Sequence, residues 1–180
     1  MKSRYFVSGL LLWLATCLSS AALAAADSGL EQLAISEGSW VYHGQVSGDA
    51  KSPPTEFVWH ADCRWSANRA FMMCSFSNIW GGKHINSLVV DTYNQHDKAF
   101  WHYEIFEDGD EPGKPFASKM QIDGSTRTEE WTESRHGKTV HQRIVYKFAS
   151  DRKVTVSFEQ SKDGTAWKTT ATGTGEKTNS

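Results

Sequence analysis

This chain is short of the residues and patterns that announce a function. Its 180 residues hold three cysteines, Cys17, Cys63 and Cys74, and no Cys-x-x-Cys pair, so nothing reads as a dithiol redox centre. No Gly-x-Ser-x-Gly, His-Glu-x-x-His or phosphate-cradling glycine loop occurs, which removes the common sequence signatures of hydrolases, zinc proteases and nucleotide binders. After Gly38 no helical period is long enough for a βαβ unit, and there is no internal repeat or second domain. The only long apolar run lies at the start, and it is too short for a membrane span of about 20 residues.

That start has the layout of an export signal. Lys2 and Arg4 form a basic head, residues 5–18 an apolar core, and small residues follow, so cleavage fits after Ala24 or Ala26. A lipoprotein acylated at Cys17 is the alternative, because Leu14-Ala15-Thr16-Cys17 loosely resembles a lipobox. Thr16 and the apolar residues after Cys17 speak against it. The expected organisation is a signal peptide at 1–24 and one domain at 27–178, periplasmic or secreted. Removing the signal takes two of the 19 basic residues and none of the 21 acidic ones, leaving 17 against 21, a net −4. Such a domain has no electrostatic reason to bind nucleic acid.

What is present begins with the stretch from Cys63 to Cys74. Read as a β-hairpin turning at Asn68-Arg69, it sets Ser66 against Phe71, Trp65 against Met72 and Cys63 against Cys74. Opposed residues on antiparallel strands have Cα atoms about 4.5–5.5 Å apart, within disulfide range. Two free thiols are the alternative, but export to an oxidising compartment favours a Cys63–Cys74 bridge. One face of this hairpin carries Phe57, Trp59, Ala61, Trp65, Met72, Phe76 and Trp80; the other carries Glu56, His60, Asp62 and Arg64. The aromatic face belongs inside.

Residues 30–35 predict a short helix ended by Gly38. Strands are expected at 40–47, 55–66, 70–80, 84–92, 99–106, 116–123, 126–134, 139–149, 153–161 and 165–177, with residues 173–180 fraying into a polar tail. About ten short strands with turns between them argue for an all-β antiparallel meander, best closed into a barrel because closure removes exposed edges. The short helix would plug one end.

Gly38-Ser39-Trp40 after a short helix resembles the Gly-x-Trp that opens lipocalin-like (calycin) barrels. The Cys63-x-Trp65…Cys74 hairpin, Val90-Asp91-Thr92-Tyr93 and the stretch from Ser161 to Trp167 are similar to a family of exported bacterial domains with that barrel. The resemblance implies a fold and a central cavity, and no established activity.

His60, His84, His102 and His141 fall in expected strands, so a barrel could gather two or three of them around a metal, or one could hold a haem. Only His102-Tyr103-Glu104 places two ligands on one strand face; scattered histidines are the plain alternative, and no cofactor is expected. The acidic loop from Glu107 to Glu111 lacks calcium-ligand spacing and reads as solvated. Glu104, Arg143 and Glu159 lie among apolar neighbours. If Arg143 points inward it could grip a carboxylate ligand with His102 and Glu104 nearby; the alternation Val140, Ile144, Tyr146, Phe148 instead turns Arg143 and His141 to solvent. Seven tryptophans remain after the signal, enough to fill a barrel or to line a cavity.

The resulting expectation is an exported protein that binds a small, largely apolar molecule. His102, Glu104 and Arg143 would orient the ligand, and Trp59 and Trp65 would line the cavity. The alternatives are an enzyme with His102 or Glu104 as acid or base, and a filled barrel with no ligand. Oligomeric state is not legible in the sequence.

Overall fold

A computed structural model describes residues 29–47, 53–108, 112–135 and 137–178. Residues 1–28, where the export signal and Cys17 were read, residues 48–52 of the first turn, residues 109–111 of the acidic loop, His136 and residues 179–180 lie outside the described residues. Ten antiparallel strands follow a short 3-10 helix at Leu30–Ser36. They are β1 (Gly38–Val46), β2 (Thr55–Trp65), β3 (Met72–Trp80), β4 (Lys83–Asn94), β5 (Ala99–Phe106), β6 (Pro115–Asp123), β7 (Thr126–Arg135), β8 (Lys138–Ser150), β9 (Lys153–Ser161) and β10 (Lys168–Lys177). Every ladder but one joins strands consecutive in the chain, and the exception, β1 with β10, closes the ring. The expected all-β meander barrel is the observed one. Among the described residues no helix is long and apolar enough to cross a membrane.

The stapled hairpin has the register read from its sequence. Trp65 opposes Met72, Cys63 opposes Cys74, and the two cysteines form a disulfide. Ser66 ends the ladder: its N–H donates to the Phe71 carbonyl at 2.9 Å, and its hydroxyl accepts from Ala70 N–H at 3.0 Å. Arg69 takes a left-handed φ of 54° at the tip.

The helix plugs one end. Leu33 is buried, and the Trp40 indole N–H donates to the Ser36 carbonyl at 3.0 Å, tying helix to β1. Gly38, with φ 107°, turns the chain between them in a conformation that favours glycine. Under the plug pack Trp40, Met72, Phe100, Met120, Phe148 and Val154, all buried. Each such side chain contributes about 1.5–3 kcal/mol by leaving water.

Two sequence expectations change at the C-terminal end. Residues 173–177 do not fray; they are the second half of β10 and form the closing seam, with Trp40 opposite Lys177. Glycines are needed there because a Cβ on Gly173 would stand 2.7 Å from the Phe57 ring, and one on Gly175 2.5 Å from the Tyr42 ring. Polar composition suggested a tail, whereas the small residues admit the aromatic side chains of β1 and β2. β10 also starts three residues late. Asp163 accepts from Thr165 and Ala166 N–H groups at 2.8 and 3.0 Å, winding the preceding residues into a turn. Those hydrogen bonds hold the exposed Asp163 carboxyl well below the usual carboxylate range.

Candidate functional site

Away from the helix the barrel is hollow. A cavity of about 660 Å3 opens there, with mainly aromatic walls. One wall is Trp59, Trp80 and Phe158: Phe158 meets both indoles edge-on, its centroid 5.0 Å from that of Trp59 and 5.1 Å from that of Trp80. Facing them across the ring, Phe116 and Trp131 pack edge to face at 5.5 Å. Alternation in the strands puts these rings inside, and the barrel is wide enough that the two walls do not meet.

The floor is ionic. Asp91 on β4 and His102 on β5 are directly opposed, and the His102 Nδ1–H donates to Asp91 Oδ1 at 2.8 Å. Arg127, on β7, reaches Asp91 Oδ2 at 2.8 Å and donates through Nη2 and Nε to Glu129 Oε1 at 2.6 and 3.0 Å. Its Nη1 extends to the hydroxyl of Ser36 in the helix plug at 3.3 Å. Glu104, two residues beyond His102, accepts from Ser87 Oγ at 2.6 Å, while its other oxygen lies 3.8 Å from His102 Nε2. Asp91, His102, Arg127 and Glu129 are buried, and Glu104 borders the cavity.

Charges this deep persist only because they are paired. Burial works against the charged form of His102, but Glu129, Asp91 and Glu104 outweigh it and push its pKa up to about 10. Burial would likewise raise Asp91, yet Arg127 and His102 hold its carboxyl below the usual range. Arg127 is pinned in its charged form, since Asp91 and Glu129 overcome its desolvation. Tyr42 and Tyr146, raised chiefly by burial, stay neutral phenols beside the cluster. A protonated imidazole has no lone pair for a metal or a haem iron, so His102 in this state is a hydrogen-bond donor.

The sequence-selected residues separate clearly. His102 and Glu104 face inward at the cavity floor, and Trp59 lines the cavity wall. Trp65 also belongs to the inward phase but does not line the cavity; it packs at the plugged end, with the Arg69 guanidinium 4.5 Å over its ring. Six residues along a strand separate it from Trp59, about 20 Å, so a shared face does not mean a shared site. Arg143 follows the outward alternative. It sits in the wall between inward Gln142 and Ile144, and its side chain pairs with Glu159 at 2.6 Å beneath the Trp167 ring. His60 and His84 are exposed and His141 is only half-buried, so the strand histidines do not converge. No metal-ligating group of three assembles among the described residues.

Asp91, Arg127 and Glu129 escaped the sequence reading. The available signal was the two-residue step Arg127, Glu129, Trp131, Glu133, which puts three charges on the face of a tryptophan.

No family model matches this chain, and no curated protein does. Its backbone does have a counterpart. The crystal structure of Rv2717c from M. tuberculosis superimposes with a TM-score of 0.55 at 11% identity, over 84% of this chain and 98% of that one. The fold is shared. At that identity the likeness extends to the barrel and not to the residues of the cavity.

Proposed function

We propose that this protein binds a small, largely apolar molecule in the open half of its barrel, and does so after export to an oxidising compartment. The observation that carries the reading is the cavity itself: about 660 Å3, lined by aromatic rings together with a substantial set of polar and charged residues. That volume lies within the roughly 300–1,000 Å3 typical of small-molecule sites. Export is supported by the disulfide and by the basic-apolar-small layout of residues 1–26, and it accords with the resemblance to exported lipocalin-like domains. Binding is favoured over catalysis because His102, the one buried imidazole among the described residues, is held protonated by Glu129, Asp91 and Glu104. An imidazolium with pKa far above neutrality is a poor general base, and its Nδ1 proton is committed to Asp91.

Native mass spectrometry of the full-length product purified from its own host tests this, with the denatured mass as reference. A non-covalent mass excess supports binding. A bare chain that also leaves its tryptophan fluorescence unchanged on titration with an apolar fluorescent probe would sink the reading in favour of a filled module. Alanine at His102 separates binder from enzyme: a binder loses affinity, whereas an enzyme loses turnover and keeps its ligand.

A further inference from the structure

Given a cavity that binds a small apolar molecule, the arrangement of charge specifies the ligand further. We infer that the cavity is built for an organic cation, an amine or quaternary ammonium on an aromatic or alkyl body, with its charged group seated beside Glu104.

Three observations meet at this point. The first is a charge surplus. Three carboxylates, Asp91, Glu104 and Glu129, share two cations, His102 and Arg127, so the group carries one negative charge more than it can pair. The surplus faces the cavity. Arg127 is spent on Asp91 and Glu129 and does not line the cavity, while Glu104, Glu129 and Glu133 do, with His102 the one cation of the cluster among them. Glu104 has its nearest cation at 3.8 Å, beyond hydrogen-bond length.

The second is what surrounds that carboxylate. Phe116 is its direct cross-strand neighbour, and Trp131 stands edge to face with Phe116 at 5.5 Å. A carboxylate held by Ser87 and bordering the cavity beside Phe116 attracts an ammonium, electrostatically from the acid and through the ring quadrupole from the aromatic. An anionic ligand would meet repulsion at the same place. The basic residues that border the cavity do not contradict this: Lys114 stands at its exposed rim, and Arg143 turns its side chain outward to Glu159.

The third is independent of the acids. Trp59, 7% exposed and part of the opposite wall, has an indole N–H with no hydrogen-bond partner. Its cross-strand neighbour Asn78, also in the wall, has an unpartnered Oδ1. A buried donor and acceptor left open side by side are costly unless something in the cavity answers them. A ligand with its ammonium at Glu104 and a body lying along Trp59, Trp80 and Phe158 would bring its far end to this pair.

The test uses the full chain and three probes of nearly one shape: benzyltrimethylammonium, its neutral carbon isostere neopentylbenzene, and phenylacetate. Each is titrated by calorimetry and by tryptophan quenching. The ammonium is expected to bind at least about tenfold tighter than the isostere, with phenylacetate weakest. In Glu104→Gln the advantage of the ammonium should fall to about threefold or less while the isostere binds as before, provided urea unfolding shows the variant still folded. Equal affinity of ammonium and isostere, or preference for phenylacetate, overturns the cation assignment and leaves the cavity-binding reading standing. An ammonium advantage that survives Glu104→Gln overturns the role of Glu104. Failure of all three probes overturns both readings together.

Discussion

The two halves of this barrel are made by the same strands under the same alternation, yet one is solid and the other hollow. Toward the helix, inward side chains meet across the ring: Trp40 lies edge-on to Phe148 with centroids 6.0 Å apart, and Leu33 descends from the plug to fill the space. Toward the far loops the inward residues are no smaller, with Trp59, Trp80, Trp131 and Phe158 among them, but none of the described residues forms a plug there. Among the described residues, the difference between the halves lies less in residue size than in the helix plug that only one end has. The ionic floor divides the halves, bonded to the plug through Ser36 and open to the cavity through Glu104.

The largest test of that division compares charges on its two sides. Arg127→Met leaves Asp91 and Glu129 buried with His102 as the only cation of the cluster and should cost about 3–5 kcal/mol in urea unfolding. Glu104→Gln, at the edge of the cavity, should cost under about 1 kcal/mol. Equal losses would mean that the floor is one structural unit with no free side.

Next come the tryptophans. Trp40→Ala in the solid half should lose about 3–5 kcal/mol, and Trp131→Ala, which already borders empty space, about half as much. Parity between them would show that the cavity closes in solution. Comparable in size is the staple, which lies in the solid half. Serine at both Cys63 and Cys74 should cost about 3 kcal/mol or less without altering ligand binding.

A last comparison varies pH. The His102 pKa is about 10 in the fold against 6.5 unperturbed, so its protonation stabilises the fold fully below about pH 6.5. That contribution drains away as pH rises toward 10, and unfolding midpoints measured from pH 6 to 10 should fall. His102→Asn should flatten that slope, and an unchanged slope in the variant would assign it to other groups.

Much of the fold was legible because period-two patterning and turn residues act locally. The hairpin register around Cys63 and Cys74 followed from counting, and the inward face of β2 and β3 from its aromatics. The site was legible in part. His102 and Glu104 stood out as polar residues on an apolar strand, but Asp91 comes from the neighbouring strand β4, and Arg127 and Glu129 from β7 beyond β6, so only the pairing register and the curl of the sheet bring them to His102. Trp65 shares the inward face but lies off the cavity, since alternation reports face and not height along the barrel. Arg143 lay open between two phases, and the choice was made by Glu159 and Trp167, whose positions depend on a turn that composition does not describe.

The seam between β1 and β10 has a consequence for how the molecule is made. All other pairings can form as the chain lengthens, each strand folding back on the one just completed. The first strand must wait for the last, so contact order is set by this one ladder. Until Lys177 is synthesised, β1 and β9 are raw edges able to recruit a neighbouring chain. A product cut short before β10 is thus an open sheet prone to aggregation, and the molecule is vulnerable in proportion to the time its final residues take to arrive.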